Sequence, residues 1–265
     1  MPGAKPLSCE VACQVSPQYV RMLEATCLRL GVQIDIILDD DAFLLDTPAC
    51  YWEQLGAECS ALGLVPSVHL PFHGLNIGSH SRVIRTDSLR ILSAGLAAAY
   101  MMRARMAVMH TGFLPMAPAI KCAEWIAHFA YGYARLLHRA TQCGVSLLLE
   151  NTWEPDPTVF DKIEAAVGQE LGYCLDIGHT RVFSKGPAEE WVKRFGVQLR
   201  AIHLHDNFGV EDSHLPLGEG NTDFSLLRIA VGVPASPPRL IVELKPRYIL
   251  HSLQVIRAAL GSNPA

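Results

Sequence analysis

Long apolar runs are missing from this chain. The longest nearly apolar stretch, residues 91–102, has 12 residues between Arg90 and Arg103, whereas a membrane-spanning helix needs about 20. It reads as a buried helix, and no membrane partner is expected. The opening residues MPGAKPLSCE hold nothing like a signal peptide, so a cytoplasmic location is expected. Cysteine is sparse, with eight in 265 residues (9, 13, 27, 50, 59, 122, 143 and 174) and no CxxC pair. That excludes a disulfide scaffold and fits reduced thiols packed as small hydrophobes. Charge is also thin. Lys and Arg number 22 against 26 Asp and Glu, a net charge of −4, so no basic excess advertises nucleic acid. No glycine-rich phosphate loop follows the first apolar run, where the chain reads CQVSPQYV. A dinucleotide-binding open sheet is therefore a poor fit.

Half of the residues are hydrophobic, enough for one large core. Short β-branched runs alternate with longer helical patterns, and the alternation repeats eight times. Strands are expected at residues 7–15, 32–39, 65–72, 106–111, 145–151, 171–176, 200–206 and 240–245. Runs such as VSLLLE and RLIVEL are continuously apolar, as parallel strands covered on both faces are. Helices are expected near 17–30, 48–62, 86–102, 124–140, 158–167, 188–195, 223–230 and 248–260. The clearest places Trp125, Ile126, Phe129, Ala130, Tyr133, Leu136 and Leu137 at spacings of three and four. Eight βα units without a linker predict an α/β fold, a single (β/α)8 TIM barrel over residues 1–265.

Barrel active sites form at the C-terminal ends of the strands, so the polar residues there matter most. Strand three ends with His69 in SVHLPFHG, strand four with His110 in AVMHTG and strand five with Glu150 in LLLENT. Strand six gives Asp176 and His179 in CLDIGH, strand seven His203 and His205 in AIHLHDN, and strand eight Glu243 in IVELK. The loop after strand seven adds Asp212 and His214. So many carboxylates in one cavity would repel and shift one another's ionisation. Cations are the remedy, and a mix of imidazole and carboxylate suits Zn, Mn, Co or Fe. His203 and His205 share a strand face, so spacing alone does not choose between them. His73 lies past its strand end and is read as facing substrate. His80, His128, His138 and His251 fall on helical or loop positions with packing or surface roles. Met101, Met102, Met106 and Met109 read as core filling.

These segments resemble the xylose isomerase-like TIM barrels that also contain endonuclease IV. The likeness runs from the first strand to Glu243 and is most specific in LLENT, CLDIGH and HLHDNFG…DSHLPLGEG. It implies three metal positions. His69 and His110 would hold a first ion, which Glu150 would bridge to a second. Asp176, His203 and Glu243 would complete the second, and His179, Asp212 and His214 would hold a third. The pattern favours His203 as ligand and leaves His205 near the pocket mouth, a substrate contact together with His73 and Lys245. The sugar isomerases and epimerases of the superfamily use only the middle position, here Glu150, Asp176, His203 and Glu243.

Charge arithmetic separates the two chemistries. Nine ligands include four carboxylates, so three divalent ions bring +6 against −4, a centre suited to a phosphate ester. One ion in the middle position meets three carboxylates, +2 against −3, and suits a neutral sugar. The full ligand set leans to hydrolysis of a phosphate ester in a small or single-stranded substrate. The alternative is isomerisation or epimerisation of a sugar or sugar phosphate on the central metal. In both, Glu150 and Glu243 are the catalytic carboxylates. Zinc is the first expectation, up to three ions, with Mn or Mg admissible in the centre. Duplex DNA is disfavoured, because the loop after strand two reads LDDDAFLLD and its carboxylates repel phosphates.

Overall fold

Short runs of alternating Val, Ile, Leu and Ala make strands, and each is followed by a helix that covers its outer face. The computed structural model describes residues 7, 9–115 and 119–261. The strands are β1 (Val11–Val15), β2 (Gln33–Ile37), β3 (Ser67–His69), β4 (Met106–His110), β5 (Ser146–Glu150), β6 (Gly172–Asp176), β7 (Leu199–Leu204) and β8 (Arg239–Val242). All neighbouring pairs are parallel, and Val11 opposite Leu240 closes β1 onto β8. The architecture is a (β/α)8 TIM barrel. Residues 8 and 116–118 and both chain ends, all within the expected 1–265, lie outside the described residues.

The surrounding helices are α1 (Val20–Leu30), α2 (Asp41–Asp46), α3 (Ala49–Ala61), α4 (Arg82–Met101), α5 (Ala119–Gln142), α6 (Thr158–Val167), α7 (Ile177–Phe183), α8 (Ala188–Phe195), α9 (Leu227–Gly232) and α10 (Ile249–Ala259). No described helix is long and apolar enough to cross a membrane. Two short helices depart from the expectation. The acidic run is not an open loop, since Asp40 accepts a 2.8 Å hydrogen bond from the Phe43 amide and caps α2. Asp176 caps α7 in the same way, through the His179 amide at 2.6 Å.

The strands are shorter than their apolar runs. β8 stops at Val242, and β3 stops at His69, ahead of Pro71. Proline has no amide to extend a ladder. Inside the barrel, Ala12, Met106, Val108, Leu148, Cys174, Ala201 and Ile241 pack together as one buried cluster. Side chains two residues apart on a strand share a face. The next inward positions are therefore Gln14, His110, Glu150, Asp176, His203 and Glu243, and the cluster below sets where the polar ring stands.

Candidate metal centre

The nine residues expected as ligands converge at the C-terminal rim. His69 Nε2 lies 3.1 Å and His110 Nε2 3.4 Å from Glu150 Oε2. The other Glu150 oxygen, Oε1, lies 3.1 Å from His203 Nδ1, which is also 3.1 Å from Glu243 Oε1. Glu150 thus stands between the His69–His110 pair and the middle group. Asp176 is fully buried beside them. On the far side, Asp212 Oδ2 is 3.2 Å from His179 Nε2 and 3.3 Å from His214 Nε2. His69–His110–Glu150 and His179–His205–Asp212–His214 each bring their ligand atoms within 4.8 Å of one another.

Backbone carbonyls orient several of the imidazoles. The Nδ1 atoms of His69, His179 and His214 lie 2.9, 2.8 and 3.2 Å from the carbonyls of Leu70, Asn151 and Glu243. A metal-binding histidine is commonly fixed in this way, by donating its second ring N–H. His214 stands at φ 46°, a left-handed conformation that costs a residue other than glycine about 1 kcal/mol. The paired amides and carbonyls of Asp206 and Leu215, at 2.9 and 2.7 Å, hold the turn in place.

Electrostatics here are set by burial against pairing. Burial pushes the Glu150 carboxyl upward, yet His203 and His110 outweigh it and hold it well below the usual carboxylate range. Burial disfavours imidazolium, but Asp176 and Asp212 raise His179 well above its ordinary value, and His214 is pushed up to about 9 by Asp212 and Glu243. At His110 burial wins and lowers the value. Positive charge is what these carboxylates draw in, whether it comes as protons or as metal.

The donor set fits divalent metal. Glu150 Oε1, Asp176 Oδ2, Asp212 Oδ1 and both nitrogens of His203 are buried without a well-aligned hydrogen bond. Each such orphan costs roughly 1–3 kcal/mol in a protein interior, and an ion among them would satisfy several at once. Imidazole and carboxylate together suit zinc and its first-row neighbours.

Three further residues take structural places that differ from expectation or were not foreseen. His205 is not at the pocket mouth. It is fully buried, with Nε2 3.2 Å from Asp176 Oδ1 and 3.4 Å from Asp212 Oδ1, because it is the next inward position after His203. Gln14 was missed. Its Nε2 donates to Glu243 Oε1 at 2.6 Å and to Asp35 Oδ2 at 3.2 Å, and Asp35 in turn accepts from Ser67 Oγ at 2.6 Å. Counting by two from Ala12 would have found it. Asp206 was also missed; its buried carboxylate accepts from the amides of Asn207, Gly218, Gly220 and Thr222 at 2.8–3.0 Å. It organises the loop carrying Asp212 and His214. Asp206→Ala is expected to destabilise the protein by about 2–4 kcal/mol, since up to four donors lose their acceptor. Urea unfolding of the metal-free protein measures this.

Two cavities adjoin the ring. One, of about 500 Å³, is lined by His73, Asn76, Trp153, His110, His179 and Asp212 among others. The other, of about 660 Å³, is lined by Gln14, Tyr19, Met22, Asp39, Glu243 and Lys245 among others. His73 and Lys245 therefore border separate spaces.

The chain is similar to the uncharacterized protein MJ1311 of Methanocaldococcus jannaschii, with 26% identity over 166 residues, 59% of this chain and 56% of that protein. It thus spans little more than half the length of that relative. Among solved structures it is similar to the TTHB071 protein from Thermus thermophilus, soaked with ZnCl2. The TM-score is 0.80 at 28% identity, covering 97% of this chain and all of that one. A D-tagatose 3-epimerase-like protein shares the fold with a TM-score of 0.81 at 20% identity, over 95% of this chain and 97% of that one. A family model described as a xylose isomerase-like TIM barrel matches residues 30–259. With that match covering most of its length, and the closed barrel and converging rim in place, the chain belongs to the xylose isomerase-like TIM barrel family.

Proposed function

We propose that the protein is a divalent-metal-dependent isomerase or epimerase of a small sugar or sugar phosphate. The observation that carries this reading is the pair of buried carboxylates, Glu150 and Glu243, each 3.1 Å from the same His203 nitrogen. Glu150, Asp176, His203 and Glu243 would hold a divalent ion, which supplies Lewis-acid polarisation of adjacent substrate oxygens. One carboxylate takes the carbon-bound proton next to the substrate carbonyl, leaving an enediolate. The other returns a proton to the opposite face, or to the neighbouring carbon in an isomerisation. Gln14 fixes one Glu243 oxygen by its 2.6 Å hydrogen bond and leaves the second oxygen for the proton. The D-tagatose 3-epimerase-like neighbour supports this choice of substrate class.

The test is a panel of aldoses, ketoses and their phosphates in D2O with the zinc- or manganese-loaded protein. Deuterium appearing at carbon next to the carbonyl is expected; a silent panel overturns the reading. His73 borders the 500 Å³ cavity and is proposed as a substrate contact. His73→Ala is expected to raise KM about tenfold with kcat within about threefold, the pattern of lost uniform binding.

A second reading rests on a specific feature. His179, Asp212 and His214 are unnecessary for chemistry on one central ion, and with His69 and His110 they would complete the three-metal set that the family resemblance implies, their atoms lying in groups that could hold ions. Such a set suits phosphate-ester hydrolysis, where neighbouring ions stabilise the attacking and leaving oxygens. Turnover of a phosphomonoester, phosphodiester or abasic DNA by protein holding three equivalents of zinc would replace the isomerase assignment.

A further inference from the structure

A short polar chain runs behind the ring across three neighbouring strands. Gln14 of β1 stands opposite Asp35 of β2 in the strand register, and Asp35 stands opposite Ser67 of β3. Asp35 and Ser67 are fully buried. The Ser67 hydroxyl donates to Asp35 Oδ1 at 2.6 Å. Gln14 Nε2 donates to Asp35 Oδ2 at 3.2 Å and to Glu243 Oε1 at 2.6 Å. A carboxylate is expensive to bury, so the place of Asp35 calls for a reason.

A counter-charge is the obvious reading, and geometry argues against it. Arg239, a buried cation of β8, commits its guanidinium elsewhere. It donates to Glu10 Oε2 at 2.9 and 3.2 Å and to the Val65 carbonyl at 2.9 Å. What Asp35 does face is the Gln14 amide. A glutamine amide has an acceptor oxygen and a nitrogen with two donors, and either end could be turned towards Glu243. Here one nitrogen serves both carboxylates. Turning the amide over would set its oxygen against Asp35 and Glu243 together.

We propose that Asp35 is a positioning residue that acts through Gln14 on Glu243. It holds the N–H side of the Gln14 amide towards the ring and so fixes one Glu243 oxygen before an ion or a substrate arrives. This rests on the reading that Glu243 helps to hold the single central ion, and not on which substrate is turned over.

The experiment has two readouts. In the metal-free protein, hydrogen exchange of the Gln14 side-chain amide is followed by NMR, its signals identified by their loss in Gln14→Leu. Asp35→Ala is expected to speed that exchange about tenfold while the backbone amides of β1 and β2 keep their wild-type protection. Manganese affinity, measured by calorimetry, is expected to fall about tenfold in Asp35→Ala, as removal of a partner that orients a ligand does. Adding Gln14→Leu should weaken it little further than Gln14→Leu alone, because the two residues act as one unit. Asp35→Asn can turn its carbonyl to Gln14 while the Ser67 hydroxyl accepts instead of donating, so it is expected to stay within about threefold of wild type in both readouts. Asp35→Val fills the space without an acceptor and takes the place of Asp35→Ala should that variant fail to fold. Gln14 exchange within about twofold of wild type in the variant without an acceptor overturns the proposal. So does an Asp35→Asn protein as impaired as Asp35→Ala, since charge and not an acceptor would then be what Asp35 supplies. Absence of manganese binding fails the metal reading alone, because exchange at Gln14 decides the role of Asp35 without it. A silent sugar panel fails the isomerase reading alone.

Discussion

Glu150→Gln is expected to lower kcat at least about 10³-fold, which corresponds to about 4 kcal/mol of lost transition-state stabilisation. Three things are lost together. The amide cannot accept the substrate proton, and general acid–base catalysis alone contributes roughly 10²–10⁴-fold. The remaining imidazoles lose the counter-charge that both Glu150 oxygens now give to His69, His110, His203 and His179 at 3.1–3.4 Å. If metal occupies the groups on both sides of Glu150, two positions would also lose a shared ligand. The metal content of two other variants separates these effects. Glu150→Ala is expected to lose ions from two positions at once, because its carboxylate stands between two groups of ligands. His214→Ala is expected to empty only the outer position. A Glu150→Ala protein that keeps its full metal content would remove the bridging role, and a Glu150→Gln protein within tenfold of wild-type kcat would remove the catalytic one.

The rim was legible in the sequence because parallel strands leave a simple record. Every barrel strand is buried on both faces, so an imidazole or carboxylate at its end stands out against Val, Leu and Ile. Glu150 after SLLL and Asp176 after GYCL are of this kind. Less legible were residues whose role depends on a neighbour from another strand. Gln14 is an ordinary polar residue after VAC until Glu243 of β8 and Asp35 of β2 are brought beside it. His205 read as a mouth residue because it follows His203 by two. Its burial is set by a cradle at Gly178 and a stack on His214, from elsewhere in the chain. The acidic run after β2 looked like a loop hostile to phosphate. Asp40 is instead committed to a helix cap, while Asp39 borders the cavity beside Glu243. Ligand count alone leaned to phosphate-ester chemistry, because His69, His110, His179, Asp212 and His214 are unnecessary for chemistry on one central ion. The proposed sugar chemistry uses the paired carboxylates at His203, which either reaction would need.

Zinc affinity is expected to rise steeply with pH, and the sign follows from what the histidines hold without metal. His214 is raised from 6.5 to about 9, and His179 and His203 are raised well above 6.5. Groups raised in this way stabilise the metal-free fold fully below their unfolded value near 6.5. For His214 that contribution is lost as pH climbs through about 9. Metal binding runs the other way, because a ligand must give up its proton first. Filling the outer position near neutral pH therefore expels protons from both His179 and His214. Affinity is expected to grow by up to about 100-fold per pH unit, tenfold for each proton released, and to flatten as His214 deprotonates above 9. His110, lowered by burial, releases none. Calorimetric zinc titrations in buffers of different ionisation enthalpy read the proton count directly. A binding heat that does not change with buffer would mean that these imidazoles are already neutral. In that case their carboxylate partners would not be supplying the field that the geometry indicates.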